Sequence, residues 1–457
     1  MRHIVSIWLV VSSLLFGALT AGAETRPQYG GTLHVTMRAA PLSLDPADTA
    51  VPDTFAQRSL ASLLFDTLVS LDESGRAKPA LAESWQPSHG NQRWTFRIRH
   101  GVKFHDGSPL TAEIAAGSLR FANPSWSVSA EGDTVVIERD AADPELLAEL
   151  ALQSNAILKR DSDNKAIGTG PFRVVDWQPA KKLTVAANED CWHGRPFLDG
   201  VEIEMGKSSR DQMTALELGK AELVEVAPEQ THRMSQDGRR LSSSAPIELV
   251  ALVFARDVSS QDEKTLREAL GWSIDRTSIR SVLLQGAGQV TASLIPTWMG
   301  GYGFVFPTEA DLPKARQWRG QVRTPQAWTI GYDSNDPLAR LIVERITLNA
   351  RDAGLTLQPT SSSTADLRLV RIPLASPAPW ITLDNLTPQL RLPGPKNRGG
   401  SSEDLYLAEQ HALAAERVIP LFHLPASYAV SSTVRNSTVR LDGGWDLADA
   451  SLENVKP

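Results

Sequence analysis

The sequence predicts an α/β protein that is built from two lobes. Its 457 residues exceed the size at which a single hydrophobic core usually stops growing. The segment Ile247–Phe254 is an almost continuous apolar run, which is typical of a strand buried on both faces. Residues 327–357 have the pattern of strand, helix and strand, which favours two parallel strands joined by a right-handed crossover.

Composition is that of an ordinary globular protein and limits the partners to be expected. Hydrophobic residues make up 42% of the chain and charged residues 22%. The formal net charge of −7 gives no support to the binding of nucleic acid or of an anionic membrane surface. Cys191 is the single cysteine of the sequence, so no disulfide can form within the chain.

Residues 1–23 have the pattern of a cleavable secretory signal peptide. Arg2 supplies the positive start, residues 4–19 form an apolar core, and Ala21-Gly22-Ala23 offers a small-residue cleavage site. The apolar core is interrupted by serine and glycine and is shorter than the ~20 residues that span a bilayer. We therefore expect an exported protein that is free in a periplasm, without a lipid-modified cysteine.

The chain after the signal peptide should begin with a strand and an amphipathic helix. Gly30–Met37 is a short apolar strand, and Arg38 follows at its carboxyl end, where open α/β sheets bind ligands. Residues 53–68 carry apolar side chains at helical spacing. A solvated surface position explains Arg38 equally well. Two interpretations of Arg38 therefore stay open, a ligand-binding residue and a surface residue.

The stretch Trp94–Ala112 combines a strand, a tight turn and the start of a helix. Apolar and polar residues alternate over residues 94–98, and Thr111 stands where an N-cap would open a helix. His105 and Asp106 are adjacent in sequence, which suggests a base with its orienting carboxylate. Adjacent side chains on an extended chain point to opposite sides, so we favour a structural role for both.

Other motifs lack the partners that catalysis or cofactor binding would need. Gly168–Phe172 reads Gly-Thr-Gly-Pro-Phe, without the lysine of a phosphate loop or the third glycine of a dinucleotide fingerprint. Cys191 has His193 two residues away, yet a buried, inert thiol is the favoured interpretation. The nine histidines show no metal-ligand spacing, and no G-x-S-x-G nucleophile motif occurs. We therefore predict no catalytic residue, no metal site, no cofactor and no enzymatic activity.

The second lobe is expected to follow a Gly/Ser/Pro-rich crossing near residues 238–246. Farther on, Asp336 stands at the N-cap position of a helix with Pro337 in its first turn, where a missing N–H does no harm. Tyr332 follows the preceding strand and should face the space between the lobes. Trp298 lies in an aromatic loop and either stacks on a ligand or packs the hinge, two roles of equal weight.

The last third of the chain supplies four more candidates. The segment after Val370 reads RIPLASPAPWITLDN and begins with Arg371. Trp380 and Asp384 in this segment offer an aromatic ring and a carboxylate that can pair with an ammonium group. His423 lies in an apolar strand, where a satisfied core histidine is favoured over a ligand residue.

Several of these segments resemble the bacterial extracellular solute-binding proteins that serve ABC importers of peptides, nickel and opines. In the first half the resemblance rests on LAESWQ, on Trp94–Ala112, on Leu44-Asp45-Pro46 and on the Gly-Thr-Gly-Pro-Phe turn. In the second half it rests on LREALGWSIDRTSI, on ASLIPTWMGGYG and on the strand at residues 418–432. The motifs are spread over nearly the whole chain after residue 23.

The resemblance implies a two-lobed periplasmic binding protein fold of type II, the Venus-flytrap, with a reduced extra α+β subdomain. The subdomain is expected to be trimmed because the long helical insert usual in the family is missing between residues 123 and 165. The implied boundaries are residues 24–45, 168–238 and 426–457 for lobe I, 46–167 for the outer subdomain, and 239–425 for lobe II.

The implied function is capture of a peptide or peptide-like solute between the lobes and its delivery to an inner-membrane ABC permease. The protein is expected to be a monomer. A regulatory or scaffold protein that keeps the fold without import is the alternative, because the outer subdomain is trimmed and the cleft segment is rich in proline. The predicted ligand-binding residues are Arg38, Trp298, Tyr332, Arg371, Trp380, Asp384 and His423.

Overall fold

The computed structural model describes residues 27–453 except residues 325, 396 and 397. The predicted signal peptide, residues 1–23, lies outside the described residues. Among the described residues, every helix falls short of the length and apolar character that crossing a bilayer requires.

The helices of the described part of the chain vary from one turn to four turns and alternate with strands. They are α1 Phe55–Leu64, α2 Ala112–Ala122, α3 Leu146–Leu150, α4 Ser209–Glu217, α5 Pro228–Gln236, α6 Gln261–Ser273, α7 Arg276–Val282, α8 Thr297–Gly300, α9 Leu312–Gln321, α10 Pro337–Asp352, α11 Pro379–Gln389 and α12 Ser402–Leu413. Single 3₁₀ turns occur at Gln153–Asn155 and Gly303–Val305.

The strands are mostly short, with two long exceptions, β14 and β19. They are β1 Thr32–Thr36, β2 Val69–Leu71, β3 Ala77–Pro79, β4 Ala82–Ser88, β5 Arg93–Ile98, β6 Ser127–Glu131, β7 Thr134–Glu138, β8 Lys159–Arg160, β9 Ala166–Ile167, β10 Phe172–Gln178, β11 Lys182–Ala187, β12 Gly200–Glu204, β13 Leu223–Glu225, β14 Arg240–Phe254, β15 Gln289–Val290, β16 Ala327–Gly331, β17 Thr356–Thr360, β18 Leu367–Pro373, β19 Val418–Val430, β20 Val434–Arg435, β21 Thr438–Val439, β22 Trp445–Asp446 and β23 Ser451–Leu452.

One large sheet runs through both lobes. Its strand order is β10-β11-β12-β1-β13-β19-β14-β18-β16-β17, and β15 pairs with β19 outside this path. We call the half from β10 to β13 lobe I and the half from β18 to β17 lobe II, each with the helices packed on it. The antiparallel strands β14 and β19 pair from Arg240–Val430 to Val253–Val418 and so cross from one lobe to the other.

Lobe I is built around β1, which pairs in parallel with β12 and with β13. Leu33 and Val35 of β1 are buried together with Leu60 and Leu64 of α1 in one apolar core. The predicted amphipathic helix therefore exists, and its apolar face covers the sheet. Burial of a leucine or valine side chain contributes roughly 1.5–3 kcal/mol, which fixes α1 against β1.

The outer subdomain consists of the four-stranded antiparallel sheet β4-β5-β7-β6 and the helix α2. Trp94, Phe96 and Ile98 of β5 are buried, as their alternation predicts. Thr111 caps α2, because its Oγ1 accepts a hydrogen bond from the Ile114 N–H at 3.3 Å. The strand, turn and helix predicted for residues 94–112 are therefore confirmed.

Lobe II contains the predicted strand–helix–strand unit. Strand β16 pairs in parallel with β17, and α10 connects them. Asp336 is the N-cap of α10, where its Oδ1 accepts hydrogen bonds from the N–H groups of Leu338 and Ala339. Ile342 and Ile346 of α10 pack on the sheet in the largest apolar core of this lobe.

Two segments have secondary structure that the sequence pattern does not predict. The predicted crossing near residues 238–246 is for the most part the start of β14, whose Ser242 and Ser243 pair with β19, and a register irregularity accommodates Pro246. Beyond the end of β18 at Pro373, α11 forms and places Pro379 in its first turn, where proline is well tolerated. The domain boundaries proposed from the sequence stay predictions.

Candidate functional site

A cavity of about 1130 Å³ lies where lobe I, the outer subdomain and lobe II meet. Space of this kind at the junction of two lobes is the default candidate for a small-molecule binding site. Its walls come from residues 45–66 and 438–449 beside lobe I, 67–80 and 148–154 of the outer subdomain, 243–245 of β14, and 375–389 of lobe II.

Helix α1 provides the wall on the side of lobe I. It begins after Thr54, whose Oγ1 accepts a hydrogen bond from the Gln57 N–H at 3.1 Å. Gln57 and Arg58 line the cavity from the first turn. The end of α1 is held by the Gly-Thr-Gly turn, because the Gly170 N–H donates to the Leu64 carbonyl at 3.0 Å.

That turn requires glycine for reasons of space. A Cβ built on Gly170 would lie 2.5 Å from the Leu64 carbonyl carbon, and one on Gly168 would lie 2.0 Å from the Leu64 oxygen. Both distances are far inside van der Waals contact. The motif therefore permits a close approach between a loop and the last turn of α1, and it shows no phosphate cradle.

Arg58 joins three parts of the molecule beside the cavity. Its Nε and Nη2 donate to the two oxygens of Asp53 at 2.7 Å and 2.6 Å. Its Nη1 donates to the Leu374 carbonyl of lobe II at 2.8 Å and to the Asp442 carbonyl at 2.6 Å. The side chain is buried, so this one guanidinium ties α1 to lobe II and to the C-terminal segment.

The floor of the cavity is an irregular part of the crossing strands. Ser243, Ser244 and Ala245 line it, and the pairing of β14 with β19 shifts register between Ser243 and Pro246. A serine side chain replaces a backbone hydrogen bond between the two strands here, because Ser244 Oγ accepts the Ala426 N–H at 3.0 Å. A bulged, polar stretch bends more easily than regular sheet, and it lies where the lobes join.

A partly buried carboxylate marks the corner between lobe I and the outer subdomain. Asp66 Oδ2 accepts hydrogen bonds from Thr169 Oγ1 at 2.8 Å and from Trp192 Nε1 at 2.9 Å. Both donors are neutral. Asp66 and the Trp192 ring line the cavity together with Phe65.

The side chains that suggested catalysis in the sequence, His105, Asp106 and Cys191, are held in structural contacts or are buried. His105 Nε2 lies 3.0 Å from the Gly170 carbonyl, while Asp106 forms a salt bridge with Lys159. Burial raises the pKa of the Cys191 thiol to about 11, so the nucleophilic thiolate is scarce at neutral pH. Within the described residues, no group of three or more His, Cys, Asp or Glu side chains is placed to hold a metal ion.

None of the seven predicted ligand residues belongs to the described lining of this cavity. Trp380 is buried in a lobe II core, and Trp298 is partly exposed with its Nε1 donating to the Pro246 carbonyl at 2.8 Å. His423 is 1% exposed, and its Nε2 lies 3.1 Å from the Leu294 carbonyl. Burial lowers the pKa of His423 to about 4, as expected of a neutral core histidine.

Two of the predicted residues meet at another junction between the lobes. The Arg38 N–H donates to Glu225 Oε2 at 2.8 Å, at the carboxyl ends of β1 and β13. Arg371 donates to both oxygens of Glu248 at 3.1 Å and 2.6 Å and also pairs with Asp336 at 3.3 Å. Burial raises the pKa of Glu225, while Arg38 and Arg371 act in the opposite direction.

The other two candidates lie at the rims of the lobes. Tyr332 packs partly buried against the main core of lobe II. Asp384 in α11 forms a salt bridge with Arg398, which also lies 3.8 Å from Asp143 of the outer subdomain. Burial raises the pKa of Asp384 against the effect of Arg398. All seven residues stay predictions as ligand contacts.

The residues that do line the cavity were not singled out from the sequence. Gln57 and Arg58 belong to the predicted amphipathic helix, and their position on its polar face is the feature of the sequence that points to them. Asp66 follows directly after that helix. The C-terminal segment with Asp442 carried no signal, because its position depends on the pairing of β21 with β22 and on packing against α1.

Comparison with known proteins gives a consistent result. The family model described as bacterial extracellular solute-binding proteins, family 5 Middle, matches residues 76–370, more than half of the chain. The nickel-binding protein NikA of Staphylococcus aureus is 26% identical over 289 residues, which are 60% of this chain and 57% of the relative. The oligopeptide-binding protein AppA of Bacillus subtilis is 27% identical over 322 residues, 63% of this chain and 57% of the relative.

The chain thus spans somewhat more than half the length of these curated relatives. Among solved structures, the ABC transporter-associated periplasmic binding protein DppA from Helicobacter pylori, in complex with the peptide STSA, aligns with a TM-score of 0.77 at 19% identity. That alignment covers 93% of this chain and 99% of the other. It confirms the predicted type II periplasmic binding protein fold.

Proposed function

The chain belongs to the bacterial extracellular solute-binding proteins of family 5, and from this premise we propose that it captures a peptide or peptide-like solute for an ABC importer. The observation that carries the proposal is the cavity of about 1130 Å³ between the lobes. Its irregular floor is the stretch of β14 at residues 243–245, which pairs with β19, so a small bend there widens or narrows the cavity without breaking either core.

The relatives support a role in transport over a regulatory or scaffold role. One relative is named an oligopeptide-binding protein, and a solved structure with this fold is described as ABC transporter-associated and periplasmic with a bound peptide. In the proposed function the exported chain, free of residues 1–23, works as a monomer in the periplasm. An inner-membrane ABC permease receives the solute, and no covalent step is involved.

The test is identification of the bound solute and of its effect on stability. Protein purified from its host would be analysed by native mass spectrometry, and the recombinant protein would be screened by thermal shift with pools of di- to oligopeptides. A ligand present at 100 times its dissociation constant stabilises the folded state by about 2.7 kcal/mol. Failure of every peptide pool to bind, with no co-purified peptide, would refute the peptide proposal.

A matched pair of variants ties any response to the cavity. Ala148 of α3 lines the cavity, so Ala148→Trp should fill part of it and abolish the thermal shift. Leu218 is exposed and does not belong to the described lining, so Leu218→Trp should leave the shift unchanged. Circular dichroism would establish that both variants fold. Equal responses of the two variants would place the binding site elsewhere.

A further inference from the structure

The walls of the cavity carry far more negative than positive charge. Among the described lining residues there are nine carboxylates and three lysine or arginine side chains. Two of the three cations are already neutralised, since Arg58 pairs with Asp53 and Arg440 pairs with Asp442. The charge of a cavity wall acts strongly on a solute because water is partly excluded there.

Five of the nine lining carboxylates form no salt bridge with any residue in the described part of the chain. They are Asp48, Asp66, Glu73, Asp446 and Asp449, and their described hydrogen-bond donors, where present, are neutral. Asp48, Asp66 and Asp446 are also partly buried. Fully buried carboxylates are almost always paired with a cation; these three are only partly buried, and Arg440 acts on Asp446 beyond salt-bridge distance, so a cationic solute would supply the direct pairing that they lack.

Two glutamines of the lining also have side-chain oxygens without a described hydrogen-bond donor. Gln57 is 8% exposed and lines the cavity; its Nε2 donates to the Ser43 carbonyl at 3.1 Å, while its Oε1 has no described hydrogen-bond partner. Gln153 also lines the cavity with an unpartnered Oε1. Both oxygens are closed off from solvent, so a solute contacts them only after the glutamine side chains turn towards the cavity. The excess charge of the walls is therefore carried by the carboxylates, which accept hydrogen bonds and cannot donate them.

We propose that the solute captured here is a polycation, with two or more ammonium or guanidinium groups that bind to Asp66, Asp446 and the neighbouring carboxylates. This inference rests on the proposed capture function and adds the chemical class of the cargo. Ammonium and guanidinium groups are donors without acceptors, which matches a wall of carboxylates. A basic peptide and a polyamine share this chemistry.

Other classes of solute fit the walls less well. An anionic solute would enter against walls in which carboxylates outnumber lysine and arginine nine to three, and like charges repel strongly where water is partly excluded. A bare metal ion needs several ligands around one point, and no described group of His, Cys, Asp or Glu side chains is arranged that way. The carboxylates are distributed along the walls, as an extended polycation requires.

The experiment compares small probes that differ in charge by titration calorimetry on the full chain. Trilysine and spermidine represent the two sources of cationic groups, and trialanine and triglutamate are the controls. We expect trilysine or spermidine to bind at least tenfold more tightly than trialanine, triglutamate not to bind, and the cationic affinity to fall as salt rises. The cationic probe that binds more tightly identifies the solute as a basic peptide or as a polyamine.

Variants tie the preference to the named carboxylates. Asp66→Asn keeps an oxygen that accepts from Thr169 and Trp192 but removes the charge, so affinity for trilysine should fall about tenfold while affinity for trialanine should not change. Glu217→Gln removes an exposed carboxylate of α4 outside the described lining and should leave both affinities unchanged. Asp446→Asn, which keeps its acceptor for the Ala448 N–H, should act like Asp66→Asn.

The outcomes separate this inference from the proposed function. Trialanine or triglutamate binding as tightly as trilysine would overturn the polycation assignment and leave solute capture intact. An unchanged trilysine affinity in both asparagine variants would also overturn it. Absence of binding by all four probes to the folded protein would overturn it too, while mass spectrometry of the co-purified solute would still decide the capture function.

Discussion

Replacement of Arg58 by alanine tests whether one guanidinium holds the two lobes and the C-terminal segment together. The side chain is 3% exposed and donates four hydrogen bonds, two to the Asp53 carboxylate and one each to the carbonyls of Leu374 and Asp442. Its removal deletes the bonds between segments that are more than 300 residues apart in sequence. Both stability and the contact between the lobes should therefore change.

The expected loss follows from the exposure of each partner. The Asp53 side chain is 54% exposed, so its carboxylate regains water and the ion pair contributes at most about 1 kcal/mol. Leu374 is fully buried, so its carbonyl loses a charged donor without compensation, at about 1–3 kcal/mol. The Asp442 carbonyl adds a similar amount. We expect Arg58→Ala to lower the free energy of unfolding by about 3–5 kcal/mol.

The measurement is urea unfolding followed by tryptophan fluorescence, since eleven of the twelve tryptophans lie after residue 23. Arg340→Ala is the matched control, because Arg340 is 64% exposed and pairs with the exposed Glu344 at 2.8 Å; its effect should stay below about 1 kcal/mol. Arg58→Lys keeps the charge but not the fork of donors and should be intermediate. Equal destabilisation by Arg58→Ala and Arg340→Ala would refute the proposed link between the lobes.

Three further predictions concern buried groups. His423 has its pKa lowered to about 4 by burial, so the unfolded chain gains a proton before the folded one does; stability should fall by up to about 3 kcal/mol from pH 6.5 to pH 4, and His423→Gln should reduce that slope in urea titrations at several pH values. An unchanged slope would contradict this. Gly170→Ala should destabilise by at least about 1–3 kcal/mol because its Cβ would meet the backbone of Leu64, whereas Gly271→Ala, with free space around it in α6, should stabilise by about 0.5–1 kcal/mol; unfolding curves of equal midpoint would contradict the reasoning. Cys191, whose pKa burial raises to about 11, should react with a disulfide reagent at pH 8 only after denaturation, and rapid labelling of the folded protein would disprove its burial.

Local elements of this fold could be predicted from the sequence because their causes are local. The alternation in β5 places Trp94, Phe96 and Ile98 on one buried face. The caps of α2 and α10 follow from Thr111 and Asp336, whose side-chain oxygens bind N–H groups two or three residues ahead. Such patterns depend on a few neighbouring residues, so they can be read from the sequence without knowledge of the tertiary structure.

The cavity could not be predicted in the same way, because its walls come from separate parts of the chain. Gln57, Asp66 and Asp446 are brought together by the packing of α1 against the C-terminal strands and against the Gly-Thr-Gly turn. The same limit applies to His423. An apolar strand suggests burial of its side chain, but the carbonyl that satisfies it belongs to Leu294, far away in sequence.

Charge pairing distinguishes the Arg371 fork, near a strand end, from the carboxylates of the cavity. Ligands in α/β sheets bind beyond the carboxyl ends of strands, and Arg38 and Arg371 lie at or near such ends, where the lobes meet. There, however, the Arg371 fork is occupied by Glu248, and Asp336 accepts from it as well. Glu225 offers a further carboxylate to the same junction. In the described cavity lining, Asp66 and four other carboxylates form no salt bridge, so an excess of negative charge that only the folded chain brings together distinguishes the cavity walls from the paired Arg371 fork.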